Sequence, residues 1–214
     1  CALEAGLERL APRPQFECLD LDLDGRDEWL LCAGGLQVAL RDDGRAAMHE
    51  FCVHALLHNF GDTLTRREES YHAKIGFEAT HARQDEGIAS AHDRVVSKHV
   101  IGPEDLEVDR APRAICVDRL VDPQGEGIDL DGYRIVDQAG FRLAPTLLFE
   151  MALDEARIGK RVVAGGDRVR IEWRCRGLAG SRLVTQLNLA MPSCDGFGGR
   201  YVLADGSIPA GFGQ

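Results

Sequence analysis

Residues 168–176 constrain the fold more than any other segment. Val169, Ile171, Trp173 and Cys175 alternate there with Arg168, Arg170, Glu172, Arg174 and Arg176. Strict period two puts the apolar set on one face and the charges on the other, which describes a half-buried strand and not a helix of period 3.6. The alternation recurs at Leu147, Phe149, Met151 and Leu153, at Leu183, Thr185, Leu187, Leu189 and Met191, and at Leu19, Leu21 and Leu23. Asp24-Gly25, Gly34-Gly35, Asp43-Gly44, Ala139-Gly140, Gly165-Gly166 and Asp205-Gly206 punctuate the chain at spacings that suit hairpins rather than βαβ crossovers. The sequence therefore predicts a mostly β chain folded as a large antiparallel β-sandwich.

Two segments read as helix. In residues 2–10, Leu3, Leu7 and Leu10 share one face and Pro12 ends the pattern, giving a lead-in helix or linker over 1–14 and a sandwich domain over 15–214. In residues 65–75, Thr65 stands three residues before Glu68 as in a capping box, which predicts a short helical insertion.

Function classes fall away on charge and spacing. With 25 Lys and Arg against 35 Asp and Glu, the chain carries a net charge of −10 and repels phosphate backbones, so nucleic acid is not an expected partner. Its longest runs without a charged residue, 29–40 and 183–194, are 12 residues each, short of the roughly 20 that a membrane helix needs. The seven cysteines are widely spaced with no CxxC pair, a pattern of reduced thiols that points to the cytoplasm. There is no dinucleotide fingerprint, phosphate loop or GxSxG elbow, and no cofactor is expected.

Several clusters could carry chemistry. Asp20, Asp22, Asp24 and Gly25 have the opening spacing of a calcium loop, but its twelfth position is Leu31 instead of Glu. A strand with Leu19, Leu21 and Leu23 inward and the aspartates outward accounts for every residue without an ion and is preferred. His54 and His58 are four apart without a third ligand. On the predicted 65–75 helix, Glu68, Tyr71, His72 and Ile75 share a face, offering a carboxylate, a phenol and an imidazole suited to sugar hydroxyls. The plainer alternative is that Arg66, Arg67, Glu68 and Glu69 tie the helix to neighbouring strands by ion pairs. His92 beside Asp93 pairs an imidazole with a carboxylate.

The segment DTLTRREESYH at 62–72 resembles a signature of the C-terminal β-sandwich domain of family-57 glycoside hydrolases, the α-amylase and 4-α-glucanotransferase group. Gly34-Gly35 with the strand pair over 36–53, then Asn59, Ala91-His92-Asp93, a strand at Leu106-Glu-Val-Asp109 and Gln186-Leu-Asn-Leu-Ala190 follow in the same order. The resemblance implies a supersandwich of the galactose-mutarotase kind. It also implies that catalysis belongs to a separate (β/α) barrel, that α-glucan or maltooligosaccharide is the substrate, and that this chain is the non-catalytic half. Glu50, Arg66, Glu68, Tyr71, His72, His92 and Asp93 are then the candidate ligand-binding residues, with no catalytic residue assigned. Where relatives carry an aromatic–acid–apolar–acid–aromatic run, this chain reads His49-Glu50-Phe51-Cys52-Val53, and only Glu50 persists. The sequence stops at Gln214 where the family's sandwich continues, as a shortened domain would.

Two alternatives stay open at this level. A stand-alone carbohydrate-binding module would use Tyr71, Tyr133 or Phe197 as stacking platforms. A mutarotase-like epimerase would draw on His72, His92, Glu50 and Glu68.

Overall fold

The alternation at 168–176 becomes a strand with those bounds in the computed structural model, which describes residues 2–10, 16–69, 106–140, 144–178, 180–192, 195–196, 199–200 and 202–207. The chain forms two compact units, Cys1–Thr63 with Ala114–Gln214, and Leu64–Arg113. In the first unit the strands are β1 (Phe16–Leu19), β2 (Glu28–Ala33), β3 (Leu36–Arg41), β4 (Met48–Val53), β5 (His58–Asn59), β6 (Ile115–Val121), β7 (Gly127–Asp129), β8 (Arg134–Ala139), β9 (Thr146–Leu153), β10 (Ala156–Gly165), β11 (Arg168–Arg176) and β12 (Arg182–Leu187). A two-residue ladder, Asp195–Gly196 with Gly199–Arg200, follows.

Pairing is antiparallel throughout. One sheet runs β1-β2-β3-β4-β6-β12 with β5 on β4 and β7 on β6, and the second runs β11-β10-β9-β8. The inward residues of both sheets share one core: Leu31, Val38 and Leu40 from the first meet Leu147, Phe149, Ile158 and Val162 from the second. Each such side chain contributes roughly 1.5–3 kcal/mol relative to exposure. The fold is the expected antiparallel β-sandwich.

Turn chemistry fixes the hairpins. Gly34 and Gly35, both with positive φ, join β2 to β3, and a Cβ at Gly34 would run into the backbone of Gly166. Among the described residues no helix is long and apolar enough to cross a membrane.

The segment 2–10 forms a helix, α1 (Ala2–Leu10), which buries Ala5 while Leu3 and Leu10 are 84% and 85% exposed. Three expectations need correction. Residues 65–69 are not helical: Thr65 Oγ1 accepts the Arg113 N–H at 3.2 Å instead of capping a turn. The preferred strand over 19–23 stops at Leu19, and Leu21 and Leu23 lie exposed in a bend. Residues 106–109 form no strand, and a backbone bond from Asp109 N–H to Arg66 O, 3.0 Å, joins the two segments.

Candidate functional site

In the second unit, residues 65–69 and 107–113 are joined through charge. Asp109 is the hub: its carboxylate accepts the Arg66 backbone N–H at 2.6 Å and takes Arg113 in two bonds, 2.8 and 3.1 Å. Those donors hold the Asp109 carboxyl below the usual aspartate range, the Arg113 side chain contributing most. Arg66 also reaches Glu107 at 3.4 Å, so this candidate sugar ligand is engaged in an exposed ion pair. Glu68 is exposed beside it. Glu50 lies on β4 in the first unit, opposite Ala39. Tyr71, His72, His92 and Asp93 lie outside the described residues, as do Phe197 and most of the predicted 65–75 helix.

The acidic loop is built around a cation of the protein's own. Asp20, Asp22 and Glu28 bring carboxylate oxygens together, and the Arg41 guanidinium enters that group, paired with Asp22, with Asp24 at 3.3 Å and with Glu28 at 3.0 Å. Asp20 accepts the backbone N–H groups of Asp24 and Gly25, and Asp24 accepts that of Arg26, which closes the bend that Leu23 enters with positive φ. Arg41 thus sets one positive charge among these carboxylates. His58 is likewise committed, its Nε2 lying 2.6 Å from the Ala190 carbonyl oxygen.

The most elaborate polar group sits between the sheets. Asp118 on β6 and Lys160 on β10 both have fully buried side chains and pair at 2.9 Å. Asp118 also accepts Thr185 Oγ1 at 2.6 Å, Tyr133 OH at 3.1 Å and Trp173 Nε1 at 3.1 Å, while Lys160 donates a second bond to Cys116 O at 2.6 Å. The ammonium lies 5.7 Å from the Trp173 ring centroid and 5.8 Å from that of Tyr133. Burial pushes the Lys160 pKa down, opposed by the Asp118 charge. Burial with the same charge pushes Tyr133 well up, and the Cys116 thiol, mainly by burial, up to about 11. Lys160 Nζ makes two bonds, both Asp118 carboxylate oxygens accept, and neither side chain is exposed, so the pair joins the two sheets from within. Tyr133, a candidate stacking platform, is 2% exposed and spent on this group.

On the other side of the second sheet, the outward positions of β9, β10 and β11 surround a hollow of about 490 Å³. Its floor is Gly159, with Glu150 and Arg174 as the register neighbours on either side. Arg161 pairs with Glu172 at 3.2 Å, and Arg157 donates to the carbonyls of Asp154 and Ala156. Arg174 and Arg176 are exposed and have no ion pair among the described residues.

Sequence reasoning passed over the Asp118–Lys160 pair, although its signal is present. In β10 the inward run is Ala156, Ile158, Lys160, Val162 and Ala164, so the lysine occupies an apolar register position.

The described residues of the first unit thus form a two-sheet antiparallel sandwich with a buried charged pair between the sheets. The sequence model of the α-amylase/4-α-glucanotransferase C-terminal domain matches residues 20–214, and the chain belongs to that family. It is 30% identical over 128 residues to a 4-α-glucanotransferase of Thermococcus litoralis, covering 58% of this chain and 18% of that protein. With a 4-α-glucanotransferase of Thermococcus kodakarensis it shares 27% over 191 residues, covering 81% of this chain and 28% of the relative. An α-amylase of Pyrococcus abyssi is 29% identical over 126 residues, 57% of this chain and 18% of the relative. The crystal structure of the T. litoralis 4-α-glucanotransferase superposes with a TM-score of 0.55 at 19% identity, over 80% of this chain and 26% of that one, a likeness of fold. The chain thus spans between 18% and 28% of the curated relatives it matches.

Proposed function

We propose that this chain is the non-catalytic C-terminal domain of an α-glucan-acting glycoside hydrolase or 4-α-glucanotransferase, supporting a catalytic barrel carried elsewhere in the parent polypeptide. The family match over residues 20–214 carries the reading. Packing favours support over sugar stacking. The described aromatics are turned to one another or to the core: Phe16 to Trp29 at 5.3 Å, Phe51 to Phe60 at 5.8 Å, Phe149 and Tyr133 buried. A sugar ring finds no stacking platform among them. Direct glucan binding by Glu50, Arg66, Glu68, Tyr71, His72, His92 and Asp93 is the secondary part of this reading; of these, Arg66 pairs with Glu107 at 3.4 Å in an exposed ion pair.

Isothermal titration of the 214-residue chain with a maltooligosaccharide, with a cellooligosaccharide as linkage control, tests this division of labour. The supporting role requires no saturable heat from the folded chain. Saturable heat selective for the α-linkage would replace it with a glucan-binding module.

A further inference from the structure

We infer that the outward face of β9, β10 and β11 is the surface by which this domain docks on the catalytic portion of its parent, and that this portion presents carboxylates to it. The inference rests on the functional reading above. Three observations carry it.

The first is charge. A chain of net charge −10 gathers Arg157, Arg161, Arg170, Arg174 and Arg176 on this one face. Edge protection explains arginines on β11, the outermost strand, where charges deter pairing with another chain. It does not explain Arg157 and Arg161, because β10 is an interior strand paired on both sides. Glu172 is already occupied, by Arg161 at 3.2 Å and Arg170 at 3.7 Å, which leaves the forks of Arg174 and Arg176 to a partner. Such planar forks match carboxylates in pairs of parallel bonds, and arginine is enriched in interfaces.

The second is Gly159. Glycine weakens a strand interior, and where the fold does not demand it, it marks a close approach of something else. The fold does not demand it here. A Cβ would meet its nearest neighbours, Arg174 Cβ and the Arg174 and Phe149 carbonyl oxygens, at 3.9 Å, an ordinary contact, and its φ is not positive. The missing side chain opens the 490 Å³ hollow, large enough for an inserted side chain.

The third is size and sign. The face is about 30 Å along the strands and about 15 Å across three to four of them, the scale of a domain interface. Around the hollow Arg157, Arg161, Arg174 and Arg176 outnumber Glu150 and Glu172, so its sign suits carboxylates, and a protein surface can place several of them over the arginines and clear of the glutamates. A covalently attached partner acts at millimolar effective concentration, so a polar interface of this kind suffices.

Arginine footprinting with phenylglyoxal, read by mass spectrometry, tests this in the full-length parent polypeptide and in the 214-residue chain. Arg174 and Arg176 are expected to react about tenfold more slowly in the parent at low salt, as for a docked population about ten times the undocked one. High salt should restore their reactivity, and Arg119 on β6 of the other sheet, paired with Asp129 at 3.5 Å, should react alike in both proteins. Gly159→Leu fills the hollow without touching a charge, and R174E/R176E reverses it. Each should expose the arginines that remain in the parent while leaving the melting temperature of the 214-residue chain in place. Equal reactivity in both proteins, or protection that survives both variants, overturns the inference while the parent still processes amylose. A parent without α-glucan turnover overturns the functional reading and the inference with it.

Discussion

Replacing Lys160 by Met is the sharpest test of how the sandwich is held together. The substitution keeps an unbranched side chain one atom shorter and removes the ammonium from a site with no solvent exposure. Asp118 then remains a buried carboxylate with Thr185, Tyr133 and Trp173 as neutral donors, and Cys116 O loses its Lys160 donor. Breaking a buried pair from one side costs about 3–5 kcal/mol. For a chain of this length each kcal/mol moves the midpoint by roughly 2–4 °C, so the melting temperature should fall by roughly 6–20 °C. Urea denaturation followed by tryptophan fluorescence is the assay, since Trp173 donates to Asp118 and reports on the same group. Lys160→Met with Asp118→Asn should cost less than the two single changes summed, because the double variant leaves no unpaired charge. A Lys160→Met chain within about 1 kcal/mol of the parent chain would refute the reasoning, showing that the three neutral donors alone satisfy Asp118.

Two further outcomes follow from local geometry. Burial alone would raise the Asp43 pKa, but hydrogen bonds from His49 and Arg45 overcome it and hold the carboxyl far below its ordinary value of 3.8. Its contribution is therefore complete above that value and lost as pH falls through the folded pKa; Asp43→Asn should lower stability at neutral pH and flatten its loss below about pH 4, compared by thermal melts across pH. Gly44→Ala should cost at least about 1–2 kcal/mol in urea midpoint terms, because φ there is +83° and the new Cβ would meet the Asp131 carbonyl.

Period two made the two-sheet fold legible wherever a strand buries one face. Leu147, Phe149 and Met151 are buried as their spacing requires, and β11 starts and ends where its alternation does. The same rule failed at Leu187, where a register shift against β6 between Gln186 and Leu187 reverses the facing and leaves the leucine 60% exposed. It failed at Leu21 and Leu23 because side-chain bonds from Asp20 and Asp24 bend the backbone more effectively than two leucines extend it. At Thr65 the cap pattern was present, but its hydroxyl has a partner 48 residues away that local spacing cannot reveal. The candidate sugar residues were legible by type and not by place. Glu50 belongs to one compact unit and Arg66 and Glu68 to the other, which no local pattern indicates. The outward arginines of β11 were visible as a charged stripe, whereas their continuation onto β10 depends on strand register.

The measurement closest to the central claim is product analysis on amylose, with the folded 214-residue chain and the full-length parent polypeptide assayed side by side. The account requires rearranged or shortened α-glucans from the parent and none from the chain alone. Glucan turnover by the chain alone would contradict it.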